Sequence, residues 1–334
     1  MKFGVEIPTC TSGMMHPVPF ATVEQVVDTA IEAEQLGYYD AGGNDHLSTM
    51  RFVREAWSAP PDYFEPLMTL AHVAARTSVL RLTTGIMVAP MREPVLLAKQ
   101  VATLDQLSGG RVILGVAVGG YRDEFEAVRP DLAGANRAEL TRETLTAVRA
   151  IWEQPRATYQ GKYVRFTDVE SYPKPVQAPL PVYSGGNVDG SLRRAAELCQ
   201  GWLPAKIGPS KIAEGRTKLA GYARAVGRDP STITTALQSV VPGRHRRAGP
   251  RHVRQLVVRP LPHIVGHDHD QGHRSGRLPR HQSGRYPGPG VCEGRRPRRR
   301  RVRAPDRVAV RGQHRRGDAR ADPGVRPARR VGLP

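Results

Sequence analysis

Three polar residues follow one another after a predicted strand, and two of them can take part in acid–base chemistry. Asn44, Asp45 and His46 come directly after the β-prone stretch 38–42. An imidazole beside a carboxylate can act as a general acid or base, because the carboxylate can fix the orientation of the ring or its charge. The plain alternative is a solvated or capping loop histidine. We predict acid–base chemistry at His46, with Asp45 as its partner.

Two glycine pairs follow later strands and suggest an anion site. Gly119-Gly120 comes after the apolar run 111–118, and Gly185-Gly186 stands shortly before a predicted helix at Ser191. The N–H groups at a helix start attract anions, and glycine lets a ligand approach the backbone closely. Either pair alone could be a tight turn. Two such turns favour a phosphorylated ligand, on whose ring Tyr121 could stack.

The elements that must position these residues alternate between strand and helix. The box Thr22–Gln25 caps a helix that Gly37 ends, and the apolar run Arg111–Val118 is typical of a strand covered on both faces. The predicted strands lie at about residues 1–8, 38–42, 79–89, 111–118, 181–183, 201–203 and 233–241. The predicted helices lie at about residues 23–36, 65–76, 94–107, 138–153, 191–199 and 211–226, with a hairpin across 158–172.

Seven strands that alternate with helices over residues 1–241 predict an α/β fold. We expect a (β/α)8 TIM barrel rather than an open doubly wound sheet, truncated after about seven strands. In such barrels the functional groups follow the carboxyl ends of the strands. A barrel without its last strand keeps two exposed edges, so we also expect poor stability and aggregation.

The composition changes abruptly after residue 241. Residues 242–334 hold 25 arginines, no lysine and 6 acidic residues, which accounts for the whole net charge of +19. This Arg/Gly/Pro-rich segment has no sustained apolar pattern, so we predict a disordered tail. One interpretation is a nucleic-acid-binding tail, since clustered arginines displace counterions from phosphates. The other is translation of a GC-rich gene in the wrong frame.

The genetic code favours the second interpretation. Read one nucleotide later, 285–291 is compatible with G-T-P-D-Q-V, and 312–326 with D-N-T-V-E-E-M-L-E-Q-I-R-V-F. The second string has an N-cap and apolar residues at helical spacing. We therefore interpret 242–334 as the product of a frameshift near Val241. The metal-like cluster 267–270 falls in this segment and is discounted, and we predict no metal site.

The first 241 residues indicate a cytoplasmic setting. They contain no apolar run long enough to span a membrane and no cationic leader before an apolar stretch. The three cysteines, Cys10, Cys199 and Cys292, share no metal-like or disulfide-like spacing. Cys199 falls on an apolar helical face, so we expect it in the core. Trp152 and Trp202 are expected there too.

Residues 1–241 resemble the bacterial luciferase-like flavin or deazaflavin monooxygenases and reductases almost continuously. Each block is modest, but their order and spacing are specific. The blocks are Gly37-Tyr38, Asn44–Leu47, Glu65–Leu67, Arg76–Ser78, Leu82–Ile86, Pro94–Lys99, Ala102–Asp105, Leu107–Arg111, Gly115–Phe125, Pro173–Gln177 and Gly185–Asn187. The re-read G-T-P-D-Q-V and the helix after it also look like the last βα unit of this family.

The resemblance implies that FMN or coenzyme F-420 binds at the C-terminal face of the barrel. His46 would then face the reactive centre of the ring, and a bulge at Gly85-Ile86, often with a non-proline cis peptide, would support its back face. An aromatic residue is common in the family where Gly42 stands, so we expect a different pocket shape there. The residues implied around the cofactor are Asn44, Gly85, Ile86, Gly119, Gly120, Tyr121, Ser184, Gly185, Gly186 and Asn187.

These observations together predict a luciferase-like oxidoreductase, of monooxygenase or dehydrogenase type, acting on a small organic substrate. Its activity would be impaired by the loss of the last βα unit. Two alternatives stay open: a nucleic-acid-binding protein acting through the tail, and an aldolase- or isomerase-like barrel acting on a phosphorylated metabolite. As partners we expect the substrate, a second copy in a homodimer and non-specific nucleic acid at the tail, but no membrane.

Overall fold

A computed structural model describes residues 2–238 of the chain, and the elements below belong to that part. The strands are β1 Gly4–Glu6, β2 Asp40–Gly43, β3 Arg81–Thr84, β4 Met87–Val88, β5 Val112–Ala117, β6 Ala157–Gln160, β7 Arg165–Val169, β8 Val182–Gly185, β9 Gly201–Leu203 and β10 Thr234–Thr235. The α-helices are α1 Val23–Gln35, α2 Arg51–Ala56, α3 Pro66–Arg76, α4 Pro94–Ser108, α5 Arg122–Val128, α6 Arg137–Glu153, α7 Asp189–Leu198 and α8 Pro209–Ala225.

The strands form one curled parallel sheet with the topology of an incomplete TIM barrel. Neighbouring strands run in the order β1-β2-β3-β5-β8-β9-β10, and β4 pairs with β5 beside this path. Every pairing in the sheet is parallel, as crossover helices require. The predicted α/β barrel is therefore confirmed for the described residues. A separate antiparallel hairpin, β6–β7, lies between α6 and β8.

The main core fills the layer between the sheet and its helices. All six residues of β5 are buried, as the unbroken apolar run predicted. Leu82, Leu114 and Val182, from neighbouring strands, belong to one apolar cluster with side chains of α1, α3, α4 and α6. This burial covers the outer face of the sheet. It leaves the carboxyl ends of the strands to be shaped by the loops that follow them.

Local sequence signals explain where several elements begin and end. The capping box at α1 is present, because the Thr22 hydroxyl accepts from the N–H of Gln25 and the Gln25 amide oxygen accepts from the N–H of Thr22. Gly109 ends α4 in the left-handed conformation, with φ of 65°. Arg111 then turns inward and donates to the carbonyl oxygens of Ala74, Leu80 and Ser108.

The structure differs from the sequence prediction at four places. The short helices α2 and α5 were not predicted, and the run 79–89 divides into β3 and β4. The last strand was predicted over 233–241; β10 covers Thr234–Thr235, and residues beyond 238 lie outside the described part. The tail, its metal-like cluster and Cys292 lie outside it as well. A cavity of about 310 Å³ beneath the β6–β7 hairpin is lined by none of the predicted site residues.

The two described cysteines are buried, as is Trp202, which confirms the core prediction for Cys199 and Trp202. Trp152 is partly buried against the same core. Burial raises the pKa of the Cys10 and Cys199 thiols to about 12, so neither is a ready nucleophile. Among the described residues, no helix has both the length and the apolar composition needed to cross a membrane.

Candidate active site

His46 lies in the loop after β2, at the C-terminal mouth of the barrel, and Glu124 of α5 holds its ring. The His46 Nδ1 atom lies 2.9 Å from Glu124 Oε2. The other carboxylate oxygen, Oε1, accepts the backbone N–H groups of Leu47 at 2.9 Å and Ser48 at 3.3 Å. Both side chains are largely buried, at 11% and 3% exposure. A carboxylate at Nδ1 stabilises the tautomer in which Nε2 is the free acceptor.

Asp45 has a different partner from the one predicted. Its buried carboxylate accepts the backbone N–H of Val88 at 2.9 Å and forms an ion pair with Arg92. The pKa of Asp45 is raised, mainly because the carboxylate is buried, and the charge of Arg92 partly offsets that rise. The expectation that Asp45 orients the His46 ring is therefore corrected: Glu124 takes that place. Asp45 instead ties the β2 loop to the segment after β4.

Aromatic side chains surround the imidazole. The ring centroids of Tyr63 and Tyr121 lie 5.5 Å and 5.7 Å from that of His46, and Phe52 lies 5.4 Å from Tyr121. Burial raises the pKa of both tyrosines, and the nearby Glu124 carboxylate raises it further. Both phenols therefore stay protonated at neutral pH. The space beside His46 thus has apolar walls, a site suited to an organic molecule.

A second set of polar side chains connects the ends of β1 and β2. The side-chain amide nitrogen of Asn44 donates to Glu6 Oε1 at 2.6 Å, and the backbone carbonyl oxygen of Asn44 accepts from the Thr9 hydroxyl at 2.9 Å. The Gln238 amide nitrogen lies 3.0 Å from the carbonyl oxygen of Gly85 and 3.4 Å from Glu6 Oε2. Residues from both ends of the described chain therefore meet at the mouth of the barrel.

The Gly85-Ile86 segment follows β3 and lies between the ends of the neighbouring strands. Its peptide bond is cis, as the resemblance implied. The N–H of Gly85 donates to the carbonyl oxygen of Gly43 at 2.8 Å, which fixes the segment against the end of β2. A Cβ on Gly185 would lie 3.0 Å from Ile86 Cγ2, so only glycine fits there without displacing Ile86. The predicted positions 85, 86 and 185 therefore lie together.

The turn after β8 leads into α7, as predicted for a phosphate site. Gly186 has φ of 118°, which glycine tolerates and other residues rarely adopt. The Asn187 side chain is engaged by Ala205, which it bonds through both amide atoms, and the Ser184 hydroxyl donates to the carbonyl oxygen of Ser191. These two side chains support the turn. Helix α7 begins without a side-chain cap, and the N–H of Ser191 donates to the carbonyl oxygen of Val188 at 2.9 Å. The N–H groups of Asp189 and Gly190, at the first two helical positions, can therefore meet an anion.

The other predicted glycine pair follows β5. Gly119 has φ of 81°, and a Cβ there would come within 2.7 Å of Val88 Cγ1. Its carbonyl oxygen accepts from Arg137 Nη1 at 3.0 Å, which places a cation next to the pair. Gly120 faces open space. Tyr121 then ends the loop and leads into α5, so this pair connects the strand end to the aromatic wall beside His46.

Four residues of this site were not predicted from the sequence: Glu6, Arg92, Glu124 and Gln238. Each acts through a partner far away in the chain, so no local motif marks it. The one usable signal is at Glu124, an acidic residue shortly after a glycine pair at a strand end. Arg122, which stands beside these residues in the chain, pairs with Glu126 at 3.4 Å and leaves Glu124 to His46.

Comparison with known proteins places the chain in a family. A family model described as luciferase-like monooxygenase matches residues 1–312. The chain therefore belongs to the luciferase-like monooxygenase family, as the sequence blocks indicated. The match runs past residue 241, so the boundary predicted there stays a prediction. The assignment argues against the aldolase- or isomerase-like alternative, and it lends nothing to the nucleic-acid-binding one.

Its curated relatives include both flavin and deazaflavin enzymes. An uncharacterised protein of Mycobacterium tuberculosis is 36% identical over 197 residues, which is 59% of this chain and 66% of that protein. The FMNH2-dependent dimethylsulfone monooxygenase of Pseudomonas putida is 30% identical over 212 residues, 60% of this chain and 55% of the enzyme. The F-420-dependent glucose-6-phosphate dehydrogenase of Kineococcus radiotolerans is 29% identical over 180 residues, 54% and 51% of the two chains.

The chain thus spans between half and two thirds of the length of these relatives. Among solved structures, an F-420-dependent secondary alcohol dehydrogenase superposes with a TM-score of 0.59 and 22% identity, covering 71% of this chain and 68% of that one. At this identity the likeness shows the fold. It agrees with the parallel, curled sheet described above.

Proposed function

We propose that the chain is an oxidoreductase that binds reduced FMN or coenzyme F-420 at the C-terminal mouth of its barrel. The observation that carries the proposal is the pair of His46 and Glu124, 2.9 Å apart and enclosed by aromatic rings at the strand ends. Relatives with named activities use FMNH2 or F-420, which supports the same class of cofactor here. A cytoplasmic location and a homodimer remain predictions.

The residues present fit such a cofactor. The uncapped first turn of α7, next to Gly186, suits a terminal phosphate, and the small residues Gly85 and Gly185 keep the neighbouring strand ends open. When bound, the flavin or deazaflavin supplies the ring that exchanges hydride or activates oxygen. The protein supplies binding, orientation and proton transfer.

His46 carries the proton transfer in this proposal. With Glu124 at Nδ1, the Nε2 atom is the one that would accept or return a proton at a bound substrate. Glu124 keeps the ring in place and stabilises its positive charge once the proton arrives. Tyr63 and Tyr121 exclude water from the imidazole. The same apolar walls favour a small organic substrate with an apolar or aromatic body.

We also propose that the chain as written is only weakly active. In the sequence interpretation, the last βα unit of the barrel is encoded out of frame after Val241. That unit would lie between β10 and β1, beside Gln238 and Glu6, and so next to the cofactor mouth. Restoring it would complete the wall of the site.

Cofactor binding tests the proposed function directly. The purified chain is titrated into F-420 and into FMN, and binding is followed by ligand fluorescence. We expect saturable binding of one of the two, and His46→Asn should keep the affinity within a few-fold while activity is lost. Absence of binding to both cofactors, by the chain and by its frame-restored form, would exclude the proposal.

A further inference from the structure

Glu6 is the one ionisable group whose carboxylate bridges the two ends of the described chain at the mouth of the barrel. Oε1 accepts from the Asn44 amide at 2.6 Å, and Oε2 lies 3.4 Å from the Gln238 amide nitrogen. Gln238 shares the same amide nitrogen with the carbonyl oxygen of Gly85, at 3.0 Å. The carboxylate therefore holds two amides from the segments after β2 and β10, two strands that are far apart in the sheet order.

We propose that Glu6 is a positioning residue of the cofactor site, which holds the side-chain amides of Asn44 and Gln238 beside the Gly85-Ile86 segment. An amide that donates its N–H to a carboxylate turns its oxygen to the opposite side, where it can accept from another group. Glu6 thereby fixes two hydrogen-bond acceptors next to the segment on which the ring is proposed to rest. The effect on binding rests on the proposed function; the polar network itself does not.

The charge of Glu6 is the property that matters for this role. The ionised carboxylate offers acceptors to both amides, whereas a protonated one has a donor where one amide nitrogen needs an acceptor. Burial raises the pKa of Glu6; the charge of Lys206 and the two amide hydrogen bonds act against that rise. Lys206 is exposed and is the charged side chain that faces Glu6 among the residues described.

These facts fix the direction of the pH dependence. Because the pKa of Glu6 is raised, its protonation begins at a higher pH than for an ordinary glutamate. Cofactor affinity should therefore fall as the pH is lowered through that raised value. In Glu6→Gln the side chain is neutral at every pH and cannot accept from both amides. The variant should bind about tenfold more weakly at neutral pH and lose the acidic decline.

The experiment measures two quantities separately: the affinity for the cofactor and the NMR resonances of the two side-chain amides. Dissociation constants for F-420 and FMN are determined between pH 5 and 8 for the wild-type chain, Glu6→Gln and the control Glu32→Gln, an exposed residue of α1. The side-chain NH2 resonances of Asn44 and Gln238, assigned from Asn44→Ala and Gln238→Ala, are followed over the same range. We expect both resonances to titrate with Glu6 in the wild type and not in Glu6→Gln.

The outcomes separate the two proposals. If a cofactor binds but the amide resonances do not depend on Glu6, or if Glu6→Gln binds as the wild type does at every pH, the positioning role is overturned and the proposed function stands. If neither cofactor binds to the chain or to its frame-restored form while the amide resonances follow Glu6, the proposed function fails and the positioning of the amides is supported. Circular dichroism of Glu6→Gln checks that the variant folds.

Discussion

His46 and Glu124 are separated by 78 positions in the chain, and their nearest side-chain atoms lie 2.9 Å apart. The same carboxylate accepts the N–H groups of Leu47 and Ser48. Glu124 therefore fixes both the ring and the backbone that carries it. A single side chain of α5 sets the position and tautomer of the proposed acid–base residue.

Replacing Glu124 by glutamine should lower turnover more than substrate binding. The amide lacks the charge that stabilises a protonated His46, and it can present an N–H to Nδ1 and so favour the wrong tautomer. We expect kcat to fall about 10- to 100-fold with a small change in KM. Steady-state kinetics over pH measures this. The control is Glu126→Gln, an exposed residue of the same helix; equal kcat in both variants would contradict the assigned role.

Replacing His46 by asparagine should abolish proton transfer while the cofactor still binds. We expect kcat to fall about 10²- to 10⁴-fold, the usual range for a lost general acid or base. The dissociation constant of the cofactor should change less than about threefold, since His46 contributes little to holding it. His72→Asn, on the exposed face of α3, is the matched control. Turnover retained in His46→Asn would place the proton transfer elsewhere.

Replacing Arg92 by glutamine should destabilise the fold, because it leaves the buried Asp45 carboxylate without its cation. We expect the free energy of unfolding to fall by about 3–5 kcal/mol, as for other broken buried ion pairs. The double variant with Asp45→Asn should regain part of that loss. Urea denaturation measures the free energy of unfolding of the wild type and of both variants. Arg122→Gln, which removes an exposed pair, should cost less than about 1 kcal/mol; an equal loss there would contradict the argument.

The sequence predicted the elements with strong local signals. The capped helix α1, the buried strand β5 and the hairpin β6–β7 each carry a pattern that depends only on neighbouring residues. Helices α2 and α5 escaped because they are only six and seven residues long, too short for an apolar repeat at helical spacing to show. Both helices are held by contacts made after folding.

The sequence predicted where the candidate site lies but not which side chains pair with one another in it. The strand-end rule correctly places His46, Asn44 and the glycine turns at the mouth of the barrel. It cannot say which carboxylate meets His46, because β2 and β5 are separated in the sheet by β3 and the contact depends on the loops. Adjacency in sequence suggested Asp45. The backbone instead turns that carboxylate toward Arg92.

Glu34 should stabilise the fold in a pH-dependent way. Its carboxylate accepts the N–H groups of Ser78, Val79 and Leu80 before β3. Burial acts to raise the pKa of Glu34, but these hydrogen bonds outweigh it and the pKa is lowered. Since the folded pKa lies below the unfolded one, the stabilisation is complete above the unfolded pKa of about 4.3 and is lost as the pH falls through the folded value.

Glu34→Gln should therefore lower the free energy of unfolding by about 1–3 kcal/mol at pH 7 and by much less at pH 3. Denaturant unfolding at both pH values measures the difference. The control is Glu32→Gln, an exposed residue two positions before Glu34 in α1. It should change the free energy of unfolding by less than about 0.5 kcal/mol. A loss at pH 7 that persists unchanged at pH 3 would show that the charge of Glu34 is not its cause.

Removing one base near codon 241 should yield a more stable and more active enzyme. The frame one nucleotide later encodes protein-like strings at 285–291 and 312–326, which resemble the closing βα unit of the family. The restored unit would cover the edges left at β1 and β10. Thermal unfolding, solubility and turnover of the two chains are compared. Equal values, or a gene without a sensible alternative frame, would refute the frameshift.

The fluorescence of Trp202 can report on ligand binding at the turn before α7. Its buried indole donates from Nε1 to the carbonyl oxygen of Gly186 at 2.8 Å, so the fluorophore is attached to the turn before α7. Any ligand that settles on that turn changes the surroundings of the indole. With Trp57 and Trp152 replaced by phenylalanine, emission from Trp202 can therefore time the arrival of a ligand in a stopped-flow instrument, without a label and before any chemistry takes place.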